Sequence, residues 1–346
     1  MLRLPPIKLE APDTLQAAAQ LLGEGNTRLV AGGTDLWPNM KRRHQKAETV
    51  ISLMAIPGMD SIGAIDSGSN GIRIGATATL ADVIRDDKIR QRFPSFAKAV
   101  ASISSPPLRN MATIGGNLCV DTRCTYYNQT EEWRRSIDYC LKEEGKICWV
   151  ATKSPRCWAH TASDSAPILC ALGAKVILVS SLGERELPLK EFYVDDGIDY
   201  LAKQPDEILT ELFIPGTSDD AHCRSAFWKL RRRGSIDFST LSVAAAVWTD
   251  DKDVVTRATL YLGAVGPAPM SVAEIDSVLV GNKITEDAIA EIAHAAHKIA
   301  RPMDNTDFEA SWRGKMTTQY VTAALREVAG MPQLHMPPRH SLKVVC

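Results

Sequence analysis

Twice in this chain the sequence enters a turn built on two adjacent glycines, "LVAGGTDL" (29–36) and "NMATIGGNLC" (110–119). A Gly-Gly pair permits backbone angles that side chains disfavour, and it lets consecutive N–H groups approach an anion closely. The first turn follows "TRLV", an apolar stretch that reads as a short strand. Each turn carries a small hydroxyl residue, Thr34 in one and Thr113 in the other. A single turn of this kind is commonplace. Two suggest a phosphate cradle closed from both sides, in which main-chain amides hold a diphosphate without lysine. Neither turn is the G-x-G-x-x-G dinucleotide fingerprint, and no acidic residue stands where that fingerprint needs one.

Around the turns the pattern alternates. "DTLQAAAQLLGEG" has helical spacing, with Asp13 as cap and Gly23 as stop. "TVISL" and "IRIGA" read as buried strands, "TLADVIRDD" and "FPSFAKAVASIS" as helices. Further on, "DSAPILCALGAKVILVSS" is helix, glycine stop and strand, and "DEILTELFIP" is a strand closed by proline. The polar stretch "GTSDDAHC" (216–223) marks a domain boundary. Beyond it "SAFWKLRR", "LSVAAAVWT" and "VVTRATLYLGAV" suggest an antiparallel sheet. Two helices follow, "TEDAIAEIAHAAHKIA", with Ile289, Ile292, Ala296 and Ile299 on one face, and "MTTQYVTAALREV".

A length of 346 residues exceeds what one core usually serves. The net charge of −1 gives no general attraction to nucleic acid or an anionic membrane. The short basic run "KRRHQK" (41–46) reads as a solvated face. No stretch approaches the ~20 apolar residues that cross a bilayer. "MLRLPPIKLEAPD" is broken by prolines and charges, so no signal peptide is expected and the cytoplasm is the expected compartment. Thiols stay reduced there. That makes the cysteines conspicuous: five of eight, Cys119, Cys124, Cys140, Cys148 and Cys157, fall within one short segment. Such clustering points to metal or redox chemistry. Between Cys124, Cys140, Cys148 and Cys157 lie 15, 7 and 8 residues, so no zinc knuckle exists among them, while Cys119 and Cys124 form a C-x4-C pair. Iron–sulfur clusters tolerate irregular spacing. Spacing alone leaves zinc and iron–sulfur both open.

"AGGTDL", "RNMATIGGN" and "SDSAPILCALGA" (163–174), in this order, resemble the FAD-binding subunits of the molybdenum hydroxylases, the family of the xanthine dehydrogenase flavin domain and the carbon monoxide dehydrogenase medium subunit. The resemblance continues through "EILTELFIP" and "FWKLRRRGSIDFSTLSVAAAV" (227–247) and covers most of residues 1–330. It implies an α+β fold: a two-part FAD-binding domain over 1–217, with a cysteine-rich insert at about 119–160, then a smaller domain of antiparallel sheet plus helices over 218–330 and a tail over 331–346. It implies that Leu29, Val30, Ala31, Gly32, Gly33, Thr34, Asp35 and Leu36, with Thr113, Ile114, Gly115, Gly116 and Asn117, embrace the FAD diphosphate. Asp164 would contact the ribose or adenine side, or cap the helix that follows it. Leu209, Lys229 and Ile103 match flavin-lining positions; the plainer readings are a core strand residue for Leu209 and a surface cation for Lys229.

Asn117 and Asp164 stand 47 positions apart, and the surplus over most of the family holds the cysteines. Within it "DTRCTYYNQ" reads as a loop, "EEWRRSIDYCLKEEG" as a helix and "ICWVA" as a short strand. The segment is similar to the branch represented by the β subunits of 4-hydroxybenzoyl-CoA reductase. That resemblance implies a [4Fe-4S] cluster on Cys124, Cys140, Cys148 and Cys157, with Cys119 as rival for one place. Cys170 and Cys223 are expected to be ordinary thiols, the second in a linker. The implied activity is electron transfer, with no catalytic side chain. Partners would be a large molybdenum-cofactor subunit and a small [2Fe-2S] subunit in a dimer of heterotrimers, with ferredoxin as donor. The alternative is the flavin subunit of an oxidative molybdenum hydroxylase that passes electrons to NAD or a quinone, its cysteine segment holding zinc or no metal.

Overall fold

The computed structural model describes residues 2–64, 71–216 and 222–334. Most of the expected boundary stretch and most of the expected tail therefore lie outside the described residues.

Among the described residues the strands form three sheets. Strands β1 (Lys8–Glu10), β2 (Thr27–Val30) and β3 (Thr49–Ser52) form a small parallel sheet in the order β1-β3-β2. The helix Leu15–Gly23 joins the first two of them. Its N-cap is Thr14, whose hydroxyl accepts the Ala17 amide at 3.2 Å, one residue later than the Asp13 expected.

The second sheet is antiparallel, in the order β4-β5-β8-β6-β7, from β4 (Ile62–Ala64), β5 (Ile72–Gly75), β6 (Lys175–Ser180), β7 (Gly183–Pro188) and β8 (Ile208–Ile214). The helix Ala166–Ala171 leads into β6 through Gly173, whose φ of +74° ends the helix as its position in the sequence suggests.

The third sheet, β12-β11-β10-β9, is built from β9 (Cys223–Leu230), β10 (Leu241–Thr249), β11 (Val255–Gly263) and β12 (Met270–Ser271). Cys223 thus begins a strand and is not a linker residue. Every residue of β10 is buried. Ala244, Ala246 and Trp248 point into the main core, which also holds Phe227 and the helix Ala166–Ala171. Val243, Ala245 and Val247 point the other way, onto the helices Glu286–Ile299 and Ala310–Val328. Alternation of side chains along a strand explains the split. The small alanines let a layer pack on each face, and Gly263 does the same on β11, where a Cβ would meet Pro167 of the helix at 2.7 Å. Among the described residues no helix is long and apolar enough to cross a membrane.

Candidate functional site

The end of β2 delivers the first glycine turn beside the second. A Cβ on Gly32 would lie 1.7 Å from the Met111 carbonyl oxygen, so the two turns meet backbone to backbone there. Gly33 has φ +68°, a conformation open to glycine and strained for others, and it packs under Trp37. The amides of Gly32, Gly33, Thr34, Asp35 and Leu36 have no acceptor among the described residues. A row of unspent N–H donors at one turn fits an anionic ligand.

The second turn differs. Ile114 donates to Ala78, Gly115 to Ala76, Asn117 to the Thr113 carbonyl and Gly116 to the Thr113 hydroxyl. Gly115 sits against the Ala76 backbone, where a Cβ would come within 2.6 Å of the Ala76 Cβ. The first two of these amides hold the segment on residues 76–78, just after β5, and the last two close the helix Ile114–Leu118 on its N-cap Thr113. The cradle expected from both sides is one-sided in its free amides, and the second turn serves as a wall. Leu29, Val30, Leu36, Ile114, Ile103 and Leu209 direct their side chains into apolar cores.

Asn117 ties the second turn to the "SDS" segment: its Oδ1 accepts the Ser163 hydroxyl at 3.0 Å and the Ser165 hydroxyl at 2.6 Å. Between those serines, Asp164 is buried and fully engaged. Its Oδ2 accepts Lys229 Nζ at 2.6 Å and its Oδ1 accepts the Ser239 hydroxyl at 2.5 Å. Lys229 also donates to the carbonyls of Ser102 at 3.1 Å and Asp237 at 2.9 Å. Two expectations change. Lys229 is a buried cation, not a surface one, and Asp164 does not cap the helix: Ser165 stands at its N-cap, and the Ala166 amide donates to the Ser163 hydroxyl. Through this pair the loop 102–104 next to Ile103, the "SDS" segment and the loop 231–239 form one wall.

The insert is a separate small unit on the other flank. Helix Glu131–Ser136 is far shorter than expected, because Asp138 and Tyr139 take positive φ and turn the chain back. The expected strand at 147–151 is a turn, with the Ala151 amide on the Cys148 carbonyl. These reversals wrap the chain round a pocket lined by Cys124, Cys140, Cys148 and Cys157, with Tyr127, Lys142 and Trp149 among its walls. All four thiols are buried. Cys119 is outside this ring and packs against the main core. Burial pushes the Cys124 thiol up to about 12 and Cys157 to about 11, and it raises Cys140 as well. Such thiols stay protonated until a metal displaces the protons. Gly197 approaches the ring from outside, since a Cβ there would lie 2.7 Å from Cys157 Sγ.

Buried charges dock the insert. Arg134 is 1% exposed and donates to the carbonyls of Gln129 and Arg42 and to the carboxylates of Glu131 and Glu143. Lys142 Nζ donates to Asp121 at 2.7 Å, Thr122 at 2.6 Å and the Gly197 carbonyl at 2.5 Å. His44 lies on Tyr127, ring centres 4.7 Å apart, with Nε2 toward the Gln129 carbonyl. The run 41–46 is therefore in part the seat of the insert rather than a solvated face. Arg123 and His160 exchange main-chain hydrogen bonds at the insert's two ends, and the Arg123 side chain pairs with Asp35 of the first turn. Burial raises the Asp35 carboxyl above its ordinary value, and the Arg123 guanidinium pulls the other way.

Residues 5–217 match the model described as the FAD binding domain in molybdopterin dehydrogenase, and residues 225–328 match the CO dehydrogenase flavoprotein C-terminal domain. The chain belongs to the FAD-binding subunits of the molybdenum hydroxylases. Among its relatives in this family, the nicotinate dehydrogenase FAD-subunit of Eubacterium barkeri is 29% identical over 81% of each chain. The aldehyde oxidoreductase FAD-binding subunit PaoB of Escherichia coli is 30% identical, over 77% of this chain and 84% of its own. The fold matches carbon monoxide dehydrogenase from Hydrogenophaga pseudoflava with a TM-score of 0.76 at 23% identity, covering 95% of this chain and 99% of that one. Quinoline 2-oxidoreductase from Pseudomonas putida 86 gives 0.74 at 19%, covering 95% and 98%.

As a molybdenum hydroxylase flavin subunit the chain takes the α+β fold expected of it, and it is a component of an oxidoreductase. Sequence reasoning missed Arg123, Ser163, Ser165, Asp237 and Ser239, whose roles depend on partners far away in the chain. The polar run "SIDFST" beside Lys229 was the available signal for the last two.

Proposed function

We propose that this subunit holds FAD and a [4Fe-4S] cluster and relays electrons within a complex containing a large molybdenum-cofactor subunit and a small [2Fe-2S] subunit. FAD exchanges electrons in pairs or singly and the cluster one at a time, so together they convert between the two kinds of carrier. The chain's own residues bind and position. The free amides of residues 32–36 suit the FAD diphosphate, and Cys124, Cys140, Cys148 and Cys157 suit the cluster.

The observation that carries the cluster is the ring of four buried thiols in one pocket. Among the described residues no three His, Cys, Asp or Glu side chains close round a single ion. Four thiols at irregular spacing suit an iron–sulfur core, which tolerates such spacing. The resemblance of the insert to that of the 4-hydroxybenzoyl-CoA reductase β subunits extends the proposal to that activity, reductive removal of the phenolic hydroxyl, with ferredoxin as donor, a dimer of heterotrimers and a cytoplasmic setting. The relatives favour a second reading. They are dehydrogenase subunits, which suits an oxidative enzyme sending electrons from FAD to NAD or a quinone.

Iron, zinc and flavin contents of the purified complex separate these readings. About four iron atoms per chain beyond those of the [2Fe-2S] subunit, with one FAD, support the first; flavin with zinc, or with no metal beyond that subunit's iron and the molybdenum cofactor, supports the second. Replacing Cys140 or Cys148 by Ser is expected to remove iron while FAD stays bound. Full iron in both variants would falsify the ligand set.

A further inference from the structure

Arg123 immediately precedes Cys124, yet its guanidinium serves the first glycine turn. Its side chain is only 10% exposed. Nη2 pairs with Asp35 Oδ1, and the guanidinium carbon lies 4.9 Å from the centre of the Phe238 ring. The third contact is missing: Nη1 is buried and has no acceptor among the described residues. An arginine is charged at any working pH, and a buried donor left without an acceptor is unfavourable. Asp35 also belongs to the segment 32–36, whose amides likewise have no acceptor. Asp35 thus belongs to a run of main-chain donors without acceptors and pairs with a side chain that carries one more. Neither glycine turn supplies a cation of its own.

We propose that Arg123 is a cofactor-binding residue whose Nη1 donates to the FAD diphosphate beside the free amides of residues 32–36. A residue of the insert then completes the flavin site. This rests on the FAD reading above. Guanidinium and phosphate form short, charge-assisted hydrogen bonds. Asp35 positions the group: it holds Nη2, and its other oxygen accepts Asn39 Nδ2 at 2.8 Å, which fixes the carboxylate in turn. The insert and the flavin site are joined by one side chain.

The test titrates flavin-free full-length protein with FAD, ADP and adenosine. ADP carries the diphosphate without the flavin, and adenosine carries neither. In Arg123→Gln, FAD and ADP are expected to bind roughly tenfold more weakly or worse, with adenosine affinity and iron content unchanged. Because Arg123→Gln leaves Asp35 without its cation, a second comparison sets Asp35→Asn against Asp35→Asn/Arg123→Met, which differ only in the arginine. The double variant is expected to show the same selective loss of FAD and ADP. Wild-type FAD affinity in folded Arg123→Gln, or equal affinities in that second pair, overturns the proposal. So does a loss that includes adenosine equally. Wild-type protein that binds adenosine and ADP but not FAD would overturn the functional reading itself.

Discussion

At the scale of single residues the most consequential contact is Asp164 with Lys229, 65 positions apart and each side chain 4% exposed. Both residues were singled out from sequence motifs, but nothing in one motif encodes the other, so their pairing was not legible. Removing one member strands a buried charge. Lys229→Met is expected to cost about 3–5 kcal/mol, and adding Asp164→Asn should recover most of that, because a neutral pair leaves no charge unpaired. Denaturant midpoints of the two variants check this; a double variant no more stable than the single would refute it. His160 offers a pH handle at the neck of the insert. Burial holds its imidazole at about 4, below the ordinary 6.5, with Nδ1 2.9 Å from the Thr161 carbonyl. The folded value is depressed, so below pH 6.5 the unfolded chain takes up a proton that the folded chain refuses. Stability is thus full above pH 6.5 and falls as pH drops toward 4, by at most about 3 kcal/mol from this group. Unfolding midpoints between pH 7 and 4.5 should show the slope, and His160→Gln should flatten it.

At the scale of elements, the strands and helices with clear periodicity stand where the sequence puts them, and the misses concentrate in the insert. "ICWVA" has strand-like composition, but Cys148 must face the pocket, and the turn it makes overrides local propensity. The helix from Glu131 stops early for the same reason, at two residues with positive φ. The first glycine turn was legible as a turn, but Gly115 and Gly116 fall inside the helix Ile114–Leu118, and the reason for Gly32 was not legible. Its lack of a Cβ admits the Met111 carbonyl as well as freeing the backbone. Gly32→Ala is therefore expected to push the turns apart, costing about 1–3 kcal/mol and weakening FAD retention. Gly23, with no atom near its missing Cβ, supplies the control: Gly23→Ala should stay within about 0.5 kcal/mol of wild type. Comparing flavin content and melting temperature in the two variants separates packing at the turn from a generic glycine effect.

At the scale of the whole molecule the described residues form two large cores that share β10 and two small ones, one under the first glycine turn and one round the thiols. The alanines of β10 made burial on both faces readable, but which core took which face depended on the fold. The core round the thiols has a different logic. It contains Cys124, Tyr127, Cys140, Cys157 and Ala159, and turns and docking charges supply its hydrogen bonds in place of a ladder. A region with so little apolar burial is the first to open. Metal bound to thiolates adds its binding free energy to the stability of the unit that holds it. On the cluster reading proposed above, removing iron should therefore speed amide exchange across 124–157 while 166–180, 208–214 and 241–249 keep their protection. Arg134→Met should loosen the insert even with iron present, because it removes the donors that join Gln129, Arg42, Glu131 and Glu143. Exchange measured by mass spectrometry on loaded and chelator-treated protein decides the matter. Uniform acceleration along the chain would mean that insert and flavin domain melt as one. Acceleration confined to the insert and to the amides of Trp37 and Asn39, which donate to Gly33 and Asp35, would mark the Asp35–Arg123 pair as the link between them.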